Sequence, residues 1–169
     1  MVRSRYTYVR QKGFSTCGPA CLEAIYKRRY NKLGEADYTE LGDTTFSGTS
    51  IEKMEDIVLL LGDWAELVKN PVRYIMKHQL YKKKVLLALY NHHYIVIKKI
   101  KDKRVYVIDP HWYETSYSWD FFYQMWHEKM YLSISLNPTI IWKHLNSSEL
   151  LSLHIPENSY EKSRKLYFS

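Results

Sequence analysis

Cys17 stands in the stretch Gln11-Lys12-Gly13-Phe14-Ser15-Thr16-Cys17-Gly18-Pro19-Ala20-Cys21-Leu22, where a loop gives way to apolar residues at helical spacing. A thiol in the first turn of a helix lies at the positive end of the dipole. With an imidazolium beside it, its pKa falls from about 8.5 to about 3.5–7.5, where it becomes a nucleophile near neutral pH. Cys21 sits one turn further in and reads as a small buried apolar residue. The chemistry then asks for a base. Of the seven histidines, His93 opens the apolar run Tyr94-Ile95-Val96-Ile97, so a strand and not a loop would hold its ring. The next run, Val105-Tyr106-Val107-Ile108, ends in Asp109-Pro110. If the two runs pair antiparallel, the start of one lies beside the end of the other, and Asp109 becomes the carboxylate that orients His93. Gln11, six residues before the cysteine, completes the set if the intervening residues fold back as a loop: its amide and the Cys17 backbone N–H would then donate to the oxyanion of a tetrahedral intermediate.

Other residues compete for these roles and are weaker. His92 is expected on the opposite face of the His93 strand. His111 follows the Asp109-Pro110 turn and is a minor alternative base. A zinc site from Cys17, Cys21 and histidines fits poorly, because Cys-x3-Cys on one helix lacks a second well-spaced ligand pair.

The elements that must position these groups follow from periodicity. Residues 5–11 are expected as a weak strand delivering the chain to the Gln11–Thr16 loop, with a turn at Gly13. A helix begins near Cys17, where Pro19 suits the first turn, and ends at Lys27-Arg28-Arg29. Residues 31–47, with scattered glycines, are expected to be irregular. Thr49 and Glu52 suggest a capping box for a second helix whose apolar stripe is Ile51, Met54, Ile57, Val58 and Leu61, stopped by Gly62. Trp64–Val68 is a short strand and Pro71–Tyr81 a third helix. Apolar runs at 85–90, 94–97 and 105–108, separated by turn residues, predict an antiparallel meander. Ser118 opens a short capped helix, and Met130, Leu132, Ile134 and Leu136 alternate as a strand. A helix over Thr139–Leu153 and a polar end follow. Helices first and a meander after them predict an α+β fold, with residues 1–136 as the domain and 137–169 as an appendage packed on it.

At 169 residues, 46% hydrophobic and 25% charged, the chain has the make-up of one globular domain. Its longest apolar runs fall far short of the roughly 18–20 residues of a membrane span. No apolar segment follows the basic residues near Met1, and the two cysteines are expected as free thiols, so a cytoplasmic protein is the expectation. The net charge of +7 favours acidic partners or nucleic acid at long range, yet its clusters at 27–29, 82–84 and 98–104 are short and read mainly as solvated faces.

Four blocks in order, Gln11 with Cys17-Gly18-Pro19-Ala20-Cys21-Leu22, Gly48-Thr49-Ser50 with Leu61-Gly62, His93-Tyr94-Ile95-Val96, and Asp109-Pro110, resemble the C39 family of papain-like cysteine peptidases. That family processes double-glycine leader peptides of bacteriocins, usually as the N-terminal domain of an ABC transporter. The resemblance spans about residues 6–136. It implies a papain-like fold with the catalytic helix packed on an antiparallel sheet, Cys17 as nucleophile, His93 as base, Asp109 as orienter and Gln11 as oxyanion donor. It implies a peptide or protein substrate and no metal or organic cofactor.

The sequence departs from the family at Thr16, where aspartate is common, and shows no transporter segments after residue 136. The expectation is therefore a stand-alone cysteine peptidase, directed to leader peptides or small residues. Two alternatives stand beside it: a papain-like amidase, deamidase or acyltransferase, and a catalytically silent module whose basic surface binds nucleic acid or an acidic protein.

Overall fold

The computed structural model describes residues 5–138 together with 146, 148 and 149. The helix expected over 139–153 and most of the appendage lie outside those residues. In chain order the described elements are α1 (Cys17–Tyr26), α2 (Glu35–Leu41), α3 (Ile51–Leu60), β1 (Trp64–Lys69), α4 (Arg73–Tyr81), β2 (Val85–Tyr90), β3 (His93–Lys101), β4 (Arg104–Asp109), β5 (Tyr113–Ser118), α5 (Trp119–Met125) and β6 (Met130–Ser135).

The strands form one antiparallel sheet in the order β1-β6-β2-β3-β4-β5. β2 through β5 are the expected meander extended by one strand, and β6 returns to fill the gap between β1 and β2. Two apolar clusters cover its two faces. On one, Leu22 of α1 and Met54, Ile57 and Val58 of α3 meet Leu87, Val96 and Leu132. On the other, Met76 of α4 and Phe122 of α5 meet Leu86, Ala88, Ile95 and Ile97. The central strands are therefore buried on both sides, which is why Val85–Ala88 is a continuous apolar run. It also explains β6: Tyr131 is as fully buried as Leu132 and Ile134, where alternation alone predicts one buried face.

Four local expectations are corrected. Residues 5–11 join no strand ladder. They run across α1, with Thr7 N–H reaching Ala24 O at 3.3 Å, because Tyr6 is buried in the α1 side of the core and draws the backbone to that helix. The 31–47 segment contains α2, whose start is set by Asp37 Oδ2 accepting the Gly34 N–H at 2.8 Å. The N-cap of α3 is Ser50, whose side chain accepts from Lys53 N; Thr49 instead bonds Thr44 Oγ1 at 2.7 Å. β5 was not expected: no residue of this edge strand is buried, so its apolar pattern is too thin to stand out.

Candidate active site

The first turn of α1, the start of β3, the end of β4 and the loop before α1 converge on one place. The loop is fastened residue by residue. Gln11 N–H donates to Pro110 O at 2.8 Å, tying it to the residue after Asp109. Lys12 N–H is held by both carboxylate oxygens of Glu35, at 3.0 and 3.1 Å. Gly13 exchanges bonds with Thr16 Oγ1, which accepts from its N–H at 2.9 Å and donates to its carbonyl at 3.1 Å. Thr16 thus closes the loop and makes no side-chain cap on α1. Gln11 Nε2 also donates to Gly13 O, at 2.8 Å. Only the NH2 end of an amide can face a carbonyl, so the Gln11 rotamer is defined and a second N–H remains for another acceptor.

The thiol reaches the strands because α1 packs close. A Cβ on Gly18 would lie 3.0 Å from Met54 Sδ and 3.2 Å from Tyr94 Cδ2, so glycine at this position lets the helix start approach α3 and β3. His93 follows a two-residue turn in which Asn91 and His92 both have positive φ, 51° and 60°, the backbone that suits a tight hairpin. Glu128 accepts the N–H groups of both, at 2.7 and 2.6 Å, and so clamps the turn from which His93 emerges.

The Val96–Ile108 pairing places the beginning of β3 beside the end of β4. There His93 Nε2 donates to Asp109 Oδ1 at 2.6 Å, and the same oxygen accepts the His111 N–H at 2.8 Å. With Nε2 engaged, Nδ1 is the nitrogen left to face Cys17, and each of the two groups shifts the pKa of the other. Burial alone would push the Cys17 thiol up. The His93 hydrogen bond, the Tyr94 backbone, the His93 charge and the Gly18 backbone outweigh it and bring the thiol below its ordinary value. Burial alone would lower the His93 pKa; hydrogen bonds to Asp109 and Cys17 and their charges raise it instead to about 9. Asp109 is held below the carboxylate range: its burial is outweighed by the hydrogen bond and charge of His93 and by the His111 backbone. A thiol whose pKa is lowered, an imidazole whose pKa is raised and a carboxylate that orients the ring are the groups that nucleophilic attack on a carbonyl requires.

Two of the other candidates fall away on geometry. Cys21 is 1% exposed, its Sγ donates to Tyr94 O at 3.4 Å, and burial first of all pushes its pKa far up. His92 belongs to the turn and not to the strand, so the expectation that it faces the other side of β3 is corrected; its side chain is 92% exposed beside Glu128. His111 lines the cleft as expected: its backbone N–H bonds Asp109, and its ring stands edge-on to His93 at 6.5 Å and to Trp112 at 4.5 Å.

A cleft of about 450 Å³ opens at this place, lined by Gln11 and His93 with Arg10, Lys12, Phe14, His111 and Trp112 among its other walls. Cys17, 7% exposed, does not line it, whereas its pKa-shifting neighbour His93 does. Phe14 and Trp112 are 106% and 72% exposed, leaving an aromatic rim.

The profile of the peptidase C39 family matches residues 5–139. The chain belongs to the peptidase C39 family. It is accordingly a cysteine-type peptidase with a papain-like fold. Solved structures agree with that fold. The peptidase domain of Streptococcus ComA, a bi-functional ABC transporter involved in a quorum-sensing pathway, superposes with a TM-score of 0.62 at 23% identity, over 79% of this chain and 99% of that one. A double glycine motif protease from an AMS/PCAT transporter, in complex with the leader peptide, gives 0.64 at 16% identity, over 81% and 97%. The Streptococcus mutans ComA peptidase domain gives 0.55 at 22%, over 79% and 100%. No curated protein matches the chain. Among the described residues of this C39 peptidase, no helix is long and apolar enough to cross a membrane.

Two residues that position the site escaped sequence reading, Glu35 and Glu128. For Glu35 a signal existed: Gly34 followed by Glu35 and Asp37 is a helix start with acids in its first turn. For Glu128 there was none, since its partners lie 36 and 37 residues away.

Proposed function

We propose that this C39 peptidase cleaves a peptide bond through an acyl-enzyme on Cys17, with His93 as base, Asp109 as orienter and Gln11 as oxyanion donor. The Cys17 thiolate attacks the carbonyl carbon, and the negative charge on the carbonyl oxygen is met by the free Gln11 Nε2–H and the Cys17 backbone N–H. His93 Nδ1 gives its proton to the leaving amine as the C–N bond breaks. It then takes a proton from the water that attacks the thioester, returning Cys17 as thiolate and His93 as imidazolium. Asp109 stays ionised throughout and holds the ring. The observation that carries this reading is the 2.6 Å bond from His93 Nε2 to Asp109 Oδ1, with Cys17 near enough to His93 for each to shift the other's pKa.

The substrate in this proposal is a leader peptide cut after small residues, a reading supported by family membership and by the leader peptide bound to a solved relative. The working peptidase is the 1–136 unit, with 137–169 as its appendage, in the cytoplasm, where the two free thiols stay reduced. The test is cleavage of a peptide ending its leader in two glycines. The wild type should release the leader, Cys17→Ala should not while keeping its circular dichroism, and mass spectrometry should trap the leader as a thioester on Cys17. Transfer of the trapped acyl group to an amine instead of water, with no hydrolysis, would identify an acyltransferase.

A further inference from the structure

The charge of this chain is concentrated. Between Glu66 and Asp102 it carries no acidic residue and nine lysines or arginines, more than its net charge of +7. α4 lies in the middle of this segment and packs on β2 and β3 through Met76, fully buried, and the half-buried Leu80. It sits on the sheet face opposite α1, and none of the cleft residues belongs to it.

The outward side of α4 is not merely basic. Val72, Tyr74, Ile75 and Tyr81 are 51%, 79%, 49% and 79% exposed, and between and after them stand the exposed Arg73, Lys77, Lys82 and Lys83. Among the described residues, none of these four cations forms a salt bridge. A face that needed only solubility would not expose four large apolar side chains within ten residues.

We infer that this face of α4 docks on a lipid bilayer bearing anionic headgroups. The two tyrosines present an apolar ring and a polar hydroxyl, the combination that suits the boundary between headgroups and acyl chains, with Val72 and Ile75 adding apolar contact beside them. The lysines and Arg73 stand beside them to meet phosphates. These exposed side chains stand on a single helix, whereas single-stranded nucleic acid is gripped in a basic groove over stacking platforms. Docked in this way, the protein keeps the Gln11–His93 cleft off the membrane-facing helix. The surface shares no residue with the cleavage chemistry, so the inference stands independently of it.

The experiment is co-sedimentation of the full chain with vesicles of phosphatidylcholine alone and of phosphatidylcholine mixed with phosphatidylglycerol. Sedimentation is expected only with the mixed vesicles, falling steeply with added salt. Lys82→Glu with Lys83→Glu should weaken it about tenfold or more, and Tyr74→Ser with Tyr81→Ser should do the same, both at unchanged circular dichroism and unchanged cleavage of a soluble peptide. The inference is overturned by equal binding to neutral vesicles, by no binding at low salt, by variants that bind as the wild type does, or by vesicle binding lost to competition from a single-stranded oligonucleotide that the same variants release.

Discussion

Glu35, buried at the start of α2, holds the Lys12 N–H with both carboxylate oxygens, at 3.0 and 3.1 Å. Lys12 is the neighbour of Gln11, so a residue 24 positions away in sequence sets where the proposed oxyanion donor stands. Glu35→Ala leaves that N–H unpaired, at a cost of about 1–3 kcal/mol. A donor displaced by even part of an ångström loses much of its effect on rate. Expected is a fall in kcat of about 10- to 100-fold with KM little changed. Glu35→Gln, which keeps one acceptor oxygen, should restore most of it. Steady-state kinetics on the three proteins decides the matter; equal losses in both variants would point to a general folding defect.

The Cys17–His93 pair fixes the pH dependence. Cys17 is lowered from its ordinary value and His93 raised to about 9, two shifts that both favour thiolate beside imidazolium. kcat/KM should rise on the acid side as Cys17 ionises and fall as pH passes about 9 and His93 loses its proton. Because His93 is raised above its unfolded 6.5, its contribution to stability is complete below about pH 6.5 and is lost as pH climbs through about 9. Asp109→Asn removes one of the causes of that rise, so the alkaline limb should move to lower pH. Iodoacetamide at pH 6 should label Cys17 and spare Cys21, read by peptide mass mapping.

His92 occupies a left-handed turn position at φ 60° with its side chain 92% exposed. His92→Gly removes the steric cost of that backbone, about 1–2 kcal/mol, against about 0.5–1 kcal/mol of added chain entropy. Activity should be unchanged and the melting temperature should not fall. A variant that lost activity at full stability would give His92 a role in the chemistry.

Asp63 has a fully buried carboxylate that bonds Arg29 Nη1 at 2.6 Å and accepts the Asn137 N–H at 2.7 Å. It joins the chain just after α1 to the start of β1 and the end of β6. Asp63→Ala strips the partner from a largely buried guanidinium and should cost about 3–5 kcal/mol, measured by urea unfolding. Cleavage by the surviving folded fraction should be unchanged, since the pair is remote from His93 in the fold.

Much of the site was legible before any fold was known. Cys17 at a helix start, His93 at the head of an apolar run and Asp109 at the end of the next are local patterns, and one antiparallel pairing suffices to bring the last two together. The long apolar runs of β2 and β3 were equally plain, because central strands buried on both faces cannot carry polar residues. What escaped notice was short or thin: α2 has only seven residues, and β5 buries none.

The sequence by itself determined which groups the candidate site contains, a thiol, an imidazole, a carboxylate and an amide, in the order the proposed chemistry uses. The tertiary structure alone decided their precision. Glu35 and Glu128 act on backbone N–H groups far along the chain, and Gly18 acts through the space it leaves for Met54 and Tyr94. Residue types announce what a group can do. The 2.6 Å between His93 and Asp109 depends on packing between elements that no local pattern connects.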